Sequence, residues 1–240
     1  MLEPRTSGIR LVAVAKPGGV RWLTRLAPAR ANAYAQAVLP VVAPIELALR
    51  PNVLANRVVG VATDPPTIRL EAWRAARARF RRDAAVLGAR SEAILLADVR
   101  ACYANIGPRS VRSALERLGC APACASRVVE TIQAFQDDGV PGLPIGPEPS
   151  AVLANAVLAH VDERLRVAGY RHLRWVDDVF VFAWGRTSID RALEVLEEAL
   201  ADLGLGLAER KTRVVDDPAD VGSVLDSPSG SPGRTVAASG

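Results

Sequence analysis

The sequence predicts an α+β fold, a split β-α-β antiparallel sheet with helices packed on one face, preceded by a smaller and mostly helical region. Three observations predict it. From Ala93 onward the residue patterns run strand, helices, strand hairpin, helix, strand. At the centre of that run is RWVDDVFVFA, Arg174 to Ala183, where Asp177 and Asp178 interrupt an otherwise apolar, β-branched and aromatic stretch. Half of the 240 residues are hydrophobic, enough to bury a substantial core as one large domain or two lobes.

The formal charge is +4, and its cations are almost all Arg, since only Lys16 and Lys211 are lysines. That balance suits a polyanionic partner. Cys102, Cys120 and Cys124 are an odd number and the chain has two His, so no zinc constellation is expected and a reduced, cytoplasmic protein fits best. The N-terminus, MLEPRTSGIR, lacks the apolar core of a signal peptide, and Ala35 to Leu49 is broken by Pro40, Pro44 and Glu46. No membrane segment is expected.

The first element, Ile9 to Leu26, reads as a β-hairpin, with the apolar run Leu11 to Ala15 and the pair Trp22-Leu23 flanking Lys16-Pro17-Gly18-Gly19. Lys16 and Arg21 bracket its turn; they are either solvated or a grip for a triphosphate. Ala29 to Leu49 is helical and broken by prolines, and Pro51 to Ala62 is a loop or short strand. Thr67 to Val86 predicts a helix, with Leu70, Trp73, Ala76 and Phe80 on one face and Arg74, Arg77 and Arg81 on another. Such a stripe is a solvated face or a contact with nucleic-acid backbone.

Ala93 to Ala97 is an apolar run of strand length that ends in Asp98, followed by Tyr103, Ile106 and the breaker Gly107-Pro108. Helices are predicted over Val111 to Leu118 and Ser126 to Phe135. Gly139 to Ser150, dense in Gly and Pro, is a shaped loop leading into a helix over Ala151 to Ala168 with Gly169 as its C-terminal cap. After the acidic hairpin, Thr187 to Asp190 has capping-box spacing and opens a helix through Leu193, Leu196, Leu200 and Leu203 that Gly204 ends. Gly206 to Val215 predicts a short strand carrying Lys211, and a Pro/Ser/Gly-rich tail, residues 219–240, is expected to be disordered.

Asp is depleted in strands, so Asp177-Asp178 marks a tight turn that would project both carboxylates from the hairpin tip. Taken alone, the pair is either a structural turn or a metal site. The other Asp pairs, Asp137-Asp138 and Asp216-Asp217, adjoin Gly139-Val140-Pro141 and Pro218 and read as solvated loops. In a split sheet the strand ending in Asp98 lies beside the hairpin, so three carboxylates converge. Buried together without a cation they cost roughly several kcal/mol, which favours a hard divalent ion such as Mg²⁺.

These stretches resemble the reverse transcriptases, polymerases with a palm and fingers. ILLADVRACYANI is similar to the first palm motif, GLPIGPEPSAVLANAVL to the second, RWVDDVFVF to the third, LGLGLAERKT to the fourth and VAKPGGVRWL to the fingers hairpin of bacterial members. The resemblance runs from Ile9 to Val215, and it leans towards group II intron, retron and phage-defence types. It implies a right-hand polymerase palm over residues 91–218 and a fingers region over 1–90. Only 29 residues follow Lys211, so no helical thumb is evident.

By this resemblance Asp98, Asp177 and Asp178, with the carbonyl of Val99, hold two Mg²⁺ ions, for which Mn²⁺ can substitute. Lys16 and Arg21 grip the phosphates of a deoxynucleoside triphosphate, and Lys211 protonates or stabilises the leaving pyrophosphate. Tyr103 sits beneath the sugar and excludes a 2′-hydroxyl, and Gly146 lets backbone approach the nucleotide or template. Trp175 stands where the family usually has Tyr, and Ile145 where many members have Gln.

The implied function is RNA-directed DNA polymerase, with an RNA template and a DNA or RNA primer as partners and a setting in antiphage defence. An accessory protein or noncoding RNA would supply the missing grip on the duplex. Two alternatives stay open: a template-independent nucleotidyltransferase on the same palm, and a non-catalytic RNA-binding module. A nucleotide cyclase is disfavoured by the fingers hairpin and the Gly-Leu-Pro loop.

Overall fold

The structure is a computed structural model that describes residues 8–16 and 19–215. Contacts divide these into two compact units that interleave in sequence. The first gathers the residues up to Ala48, Val58–Leu70 and Tyr103–Val157; the second gathers Leu49–Arg57, Glu71–Cys102 and the residues from Leu158 on. The Pro17-Gly18 tip and the expected disordered tail lie outside the described residues. No helix among the described residues is long and apolar enough to cross a membrane.

In the first unit, β1 (Ile9–Lys16) and β2 (Gly19–Leu26) form the expected antiparallel hairpin, Ile9 opposite Leu26 and Lys16 opposite Gly19. Alternation along the pleat puts Leu11, Ala13, Val20 and Trp22 on one face and Arg10, Val14, Arg21 and Arg25 on the other. Helix α1 (Pro28–Ala48) is continuous through Pro40 and Pro44, where the sequence suggested a break. Its apolar stripe, Tyr34, Val38, Val41 and Ile45, is buried, and that packing stabilises the helix through both prolines. The prolines remove the bonds to the carbonyls of Gln36 and Pro40, both exposed residues that water can satisfy.

Residues from Thr67 do not begin a helix. β3 (Val58–Thr63) and β4 (Pro66–Leu70) pair as an antiparallel hairpin instead. Thr67-Ile68-Arg69 alternates with period two, Ile68 buried and Arg69 exposed, and the helical spacing holds only from Trp73 onward. Helices α3 (Cys102–Asn105), α4 (Pro108–Arg117) and α5 (Pro122–Asp137) follow. The latter two begin earlier than predicted, each with a proline in its first turn, where a missing N–H costs nothing. The Gly/Pro loop then leads into α6 (Glu148–Val167). Leu143 N–H donates to the Tyr103 carbonyl (2.8 Å) and Thr24 N–H to that of Ile145 (2.7 Å), so the loop is tied to α3 and to β2. At the start of α6, Ser150 Oγ lies 3.0 Å from the Tyr34 hydroxyl, whose ring packs edge-on against Phe135.

The second unit is built on a four-stranded antiparallel sheet in the order β6-β7-β5-β8, formed by Arg171–Trp175, Asp178–Ala183, Ala93–Asp98 and Arg213–Val215. The strand ending in Asp98 does lie beside the hairpin. Ile94, Leu96, Leu173, Trp175 and Phe182 form a core with Ala76, Phe80 and Ala84 of α2 (Trp73–Gly88). Helix α7 (Arg186–Ala201) packs against β5 and β7.

The capping box expected at Thr187 does not form. The helix starts at Arg186, so Thr187 is already inside the first turn, Gly185 caps it without a side-chain bond, and Asp190 pairs with Arg186 (3.2 Å). Gly204, at φ 71°, ends the helix as predicted, with Leu205 N–H returning to the Leu200 carbonyl (2.9 Å). Lys211 is not on a strand but in a 3-10 turn, Glu209–Lys211, ahead of β8.

Candidate active site

Asp98 is the last residue of β5 and Asp178 the first of β7, and the register sets them directly opposite one another. Val99 N–H donates to the Asp177 carbonyl (3.1 Å). That bond makes Asp98 and Asp178 the non-hydrogen-bonded kind of cross-strand pair, the kind whose side chains stand closer together. The turn itself is Val176-Asp177, closed by Trp175 opposite Asp178. Only Asp177 is at the tip, because a two-residue loop suffices to join the strands. Val176 has φ 57°, a left-handed conformation that strains a β-branched residue.

Lys211 Nζ donates to Asp98 Oδ2 at 2.7 Å. The turn that carries Lys211 hangs from the same residue, for Ala208 N–H donates to the Asp98 carbonyl (2.8 Å) and Lys211 N–H to that of Ala208 (2.8 Å). Asp98, Asp177, Asp178 and Lys211, which the sequence scatters over more than a hundred positions, thus share one end of the sheet.

Burial pushes the Asp178 carboxyl up to about 7, and the charges of Asp177 and Asp98 push the same way; Lys211 and Arg77 pull it down. Burial would lower Lys211, but its bond to Asp98 and the three acids outweigh that and hold the ammonium above its ordinary range. Arg77 was legible only as one arginine of a stripe. Its guanidinium lies 5.2 Å from the ring centres of both Phe80 and Trp175, a stacked and therefore fixed cation.

The sequence reading also missed Arg174. Its guanidinium is fully buried, with Nε 3.0 Å from both oxygens of Asp162, one η-nitrogen 2.8 Å from Oδ2, and the other donating to the Val176 carbonyl (3.0 Å). Burial would raise the Asp162 carboxyl, but Arg174 and the His172 contact hold it below the usual carboxylate range. His172 Nε2 lies 3.2 Å from Asp162 Oδ1 and 2.7 Å from Asn52 Nδ2. The available signal was slight: Arg174 stands between Leu173 and Trp175 in β6, and Asp162 follows Val161 in α6.

Of the other predicted site residues, Lys16, Arg21, Tyr103 and Gly146 belong to the first unit. The Lys16 side chain lies outside the described residues, and Arg21 is exposed on β2 opposite Val14. Tyr103 is half-buried in α3. Gly146 has φ 126°, so its backbone conformation alone calls for glycine. Val99 follows Asp98 and forms an antiparallel bridge with Leu207.

Among the described residues, no three His, Cys, Asp or Glu side chains are gathered closely enough to hold a metal ion as they stand. The donor chemistry nonetheless fits a hard cation: all-oxygen ligands, a repelling cross-strand pair, and a carboxyl whose ionisation is suppressed by burial and by the acids beside it.

The model of one protein family, described as reverse transcriptase (RNA-dependent DNA polymerase), matches residues 34–222. No curated protein matches the sequence. Among solved structures the chain is similar to telomerase from Candida albicans in complex with a fragment of telomeric RNA, with a TM-score of 0.55 at 11% identity, covering 85% of this chain and 41% of that one. It is similar to apo telomerase from Candida tropicalis (TM-score 0.55, 12% identity, 91% and 46% covered) and to that protein truncated of its C-terminal domain (0.52, 12%, 90% and 51%). The chain therefore spans about half the length, or less, of these neighbours, and at such identities the likeness is one of fold.

Proposed function

This chain belongs to the reverse transcriptase (RNA-dependent DNA polymerase) family, and we propose that it extends a primer 3′-hydroxyl with deoxynucleotides on an RNA template. The observation that carries this reading is the Asp98–Asp178 cross-strand pair with Lys211 bonded to it. A like-charged pair opposite one another weakens a sheet, so its presence at the end of an apolar core is explained by chemistry rather than packing.

In this reading Asp98, Asp177 and Asp178, with the Val99 carbonyl, hold Mg²⁺ or Mn²⁺. Such ions activate the primer hydroxyl and neutralise the triphosphate. Lys211, kept protonated by the acids around it, supplies a proton or a positive charge to the departing pyrophosphate. Arg77, fixed on two aromatic rings, adds positive potential beside Asp178. From the fingers region, residues 1–90, Lys16 and Arg21 grip the phosphates. Tyr103 selects against a 2′-hydroxyl and Gly146 admits the nucleotide or template. RNA as template agrees with the telomeric RNA held by one neighbour of the same fold. An accessory protein or noncoding RNA, a cytoplasmic setting and a role in bacterial antiphage defence belong to the same proposal.

The test is incorporation of labelled deoxynucleotides by purified protein with Mg²⁺ or Mn²⁺, with and without poly(rA)/oligo(dT). Template-dependent synthesis that Asp177→Ala lowers at least about a hundredfold is expected, the scale of losing a group on which transition-state charge rests. Synthesis that ignores the template would replace this reading with a terminal-transferase activity on the same palm.

A further inference from the structure

We propose that Arg174 is the positioning residue of the acidic hairpin: by holding the Val176 carbonyl it fixes the direction in which Asp177 and Asp178 project. The proposal rests on the reading of those acids as metal ligands. Val176 occupies a left-handed conformation that a β-branched residue leaves unless something restrains it. Besides the closure of the two-residue hairpin itself, the turn is restrained by a bond from one η-nitrogen of Arg174 to the Val176 carbonyl, 3.0 Å long, reaching across the start of the turn.

The guanidinium making that bond is immobilised from every side. Its Nε and second η-nitrogen are spent on Asp162, whose carboxylate is backed by His172 and, through it, Asn52. The backbone of Arg174 is fixed as well, its N–H donating to the Asn52 carbonyl (2.9 Å) and its carbonyl accepting from Leu54 N–H (3.1 Å). A buried ion pair is a poor device for stability, because desolvating both charges offsets their attraction. This pair does something an apolar pair cannot, since it aims a third, rigidly directed donor at a backbone atom of the turn. Arg fits that task and Lys does not, because an ammonium has no planar fork to fill two partners in fixed directions.

Two variants test the proposal. Arg174→Lys keeps the charge and loses the fork. Asp162→Asn with Arg174→Met removes both buried charges and so leaves neither uncompensated; it carries the test should the lysine variant fail to fold. Three readouts are taken on the protein without nucleic acid: melting temperature, Mn²⁺ affinity by electron paramagnetic resonance, and hydrogen exchange at Val99, whose N–H is bonded to Asp177. The expected result is a folded protein that binds Mn²⁺ about tenfold or more weakly, the scale seen when a group that orients metal ligands is lost, with faster exchange at Val99. Wild-type Mn²⁺ affinity in a folded variant overturns the proposal whatever the exchange shows. Wild-type protein that binds no Mn²⁺ overturns the reading of the acids as metal ligands instead, and the positioning role falls with it.

Discussion

At the scale of single residues, Asp178 carries the clearest electrical signature. A carboxyl whose pKa rises from 3.8 to about 7 on folding binds its proton more tightly in the folded state. Its ionisation therefore costs the fold nothing below about pH 4, where both states are protonated, makes the fold progressively less stable as pH climbs from about 4 to about 7, and costs a constant amount above that. Asp178→Asn removes the effect. Without divalent cations the variant should be more stable than wild type at pH 8 by on the order of 4 kcal/mol, with the difference vanishing near pH 4. Thermal unfolding across that range checks it, and a pH-independent difference would sink the idea.

What could be read in advance at this scale followed chemical anomaly. Acids ending apolar strands, and two lysines in an arginine-rich chain, stand out in the sequence, so Asp98, Asp177, Asp178 and Lys211 were legible. Arg174 and Asp162 are twelve residues apart on different elements, and no local pattern states that a strand residue will meet a helix residue. Arg77 could not be told from Arg74 or Arg81, because stacking on Phe80 and Trp175 is decided by the tertiary packing.

At the scale of elements, the sheet of the second unit and the β1–β2 hairpin followed from their apolar runs. The β3–β4 hairpin did not, because Leu70 fits both the alternating pattern behind it and the helical one ahead, and a window spanning both averages them. Helix starts were misjudged where proline opened them, since a residue that usually breaks helices also begins them.

The Gly/Pro loop gives a test at this scale. A Cβ at Gly142 would stand 2.4 Å from the Tyr103 carbonyl oxygen and 2.5 Å from that of Ala104. Both are backbone atoms that cannot rotate aside. Gly142→Ala should therefore displace the loop and break the Leu143–Tyr103 bond, costing about 2 kcal/mol or more in chemical denaturation. At Gly139 a Cβ meets nothing within 4 Å and only φ 85° opposes it, so Gly139→Ala should cost about 1 to 2 kcal/mol. Equal costs would mean that crowding at Gly142 is relieved.

At the scale of the whole molecule, 30 basic residues against 26 acidic ones leave a modest surplus that is nearly all Arg, suited to phosphate by its planar, bidentate fork. If the partner is an RNA–DNA hybrid, affinity should fall steeply between about 50 and 200 mM salt, with the slope reporting how many phosphates are met. Fluorescence anisotropy with a labelled hybrid measures it. A flat response would point to an uncharged contact surface.

The segment that pins Arg174 has one more effect. A sheet of apolar strands is a template for foreign strands wherever an edge offers free backbone groups. On the β6 side, Asn52 and Leu54 engage both backbone groups of Arg174, and on the other side β8 is three residues long. At Arg174, beside the hairpin that carries the acids, the edge of the sheet is thereby closed to a foreign strand.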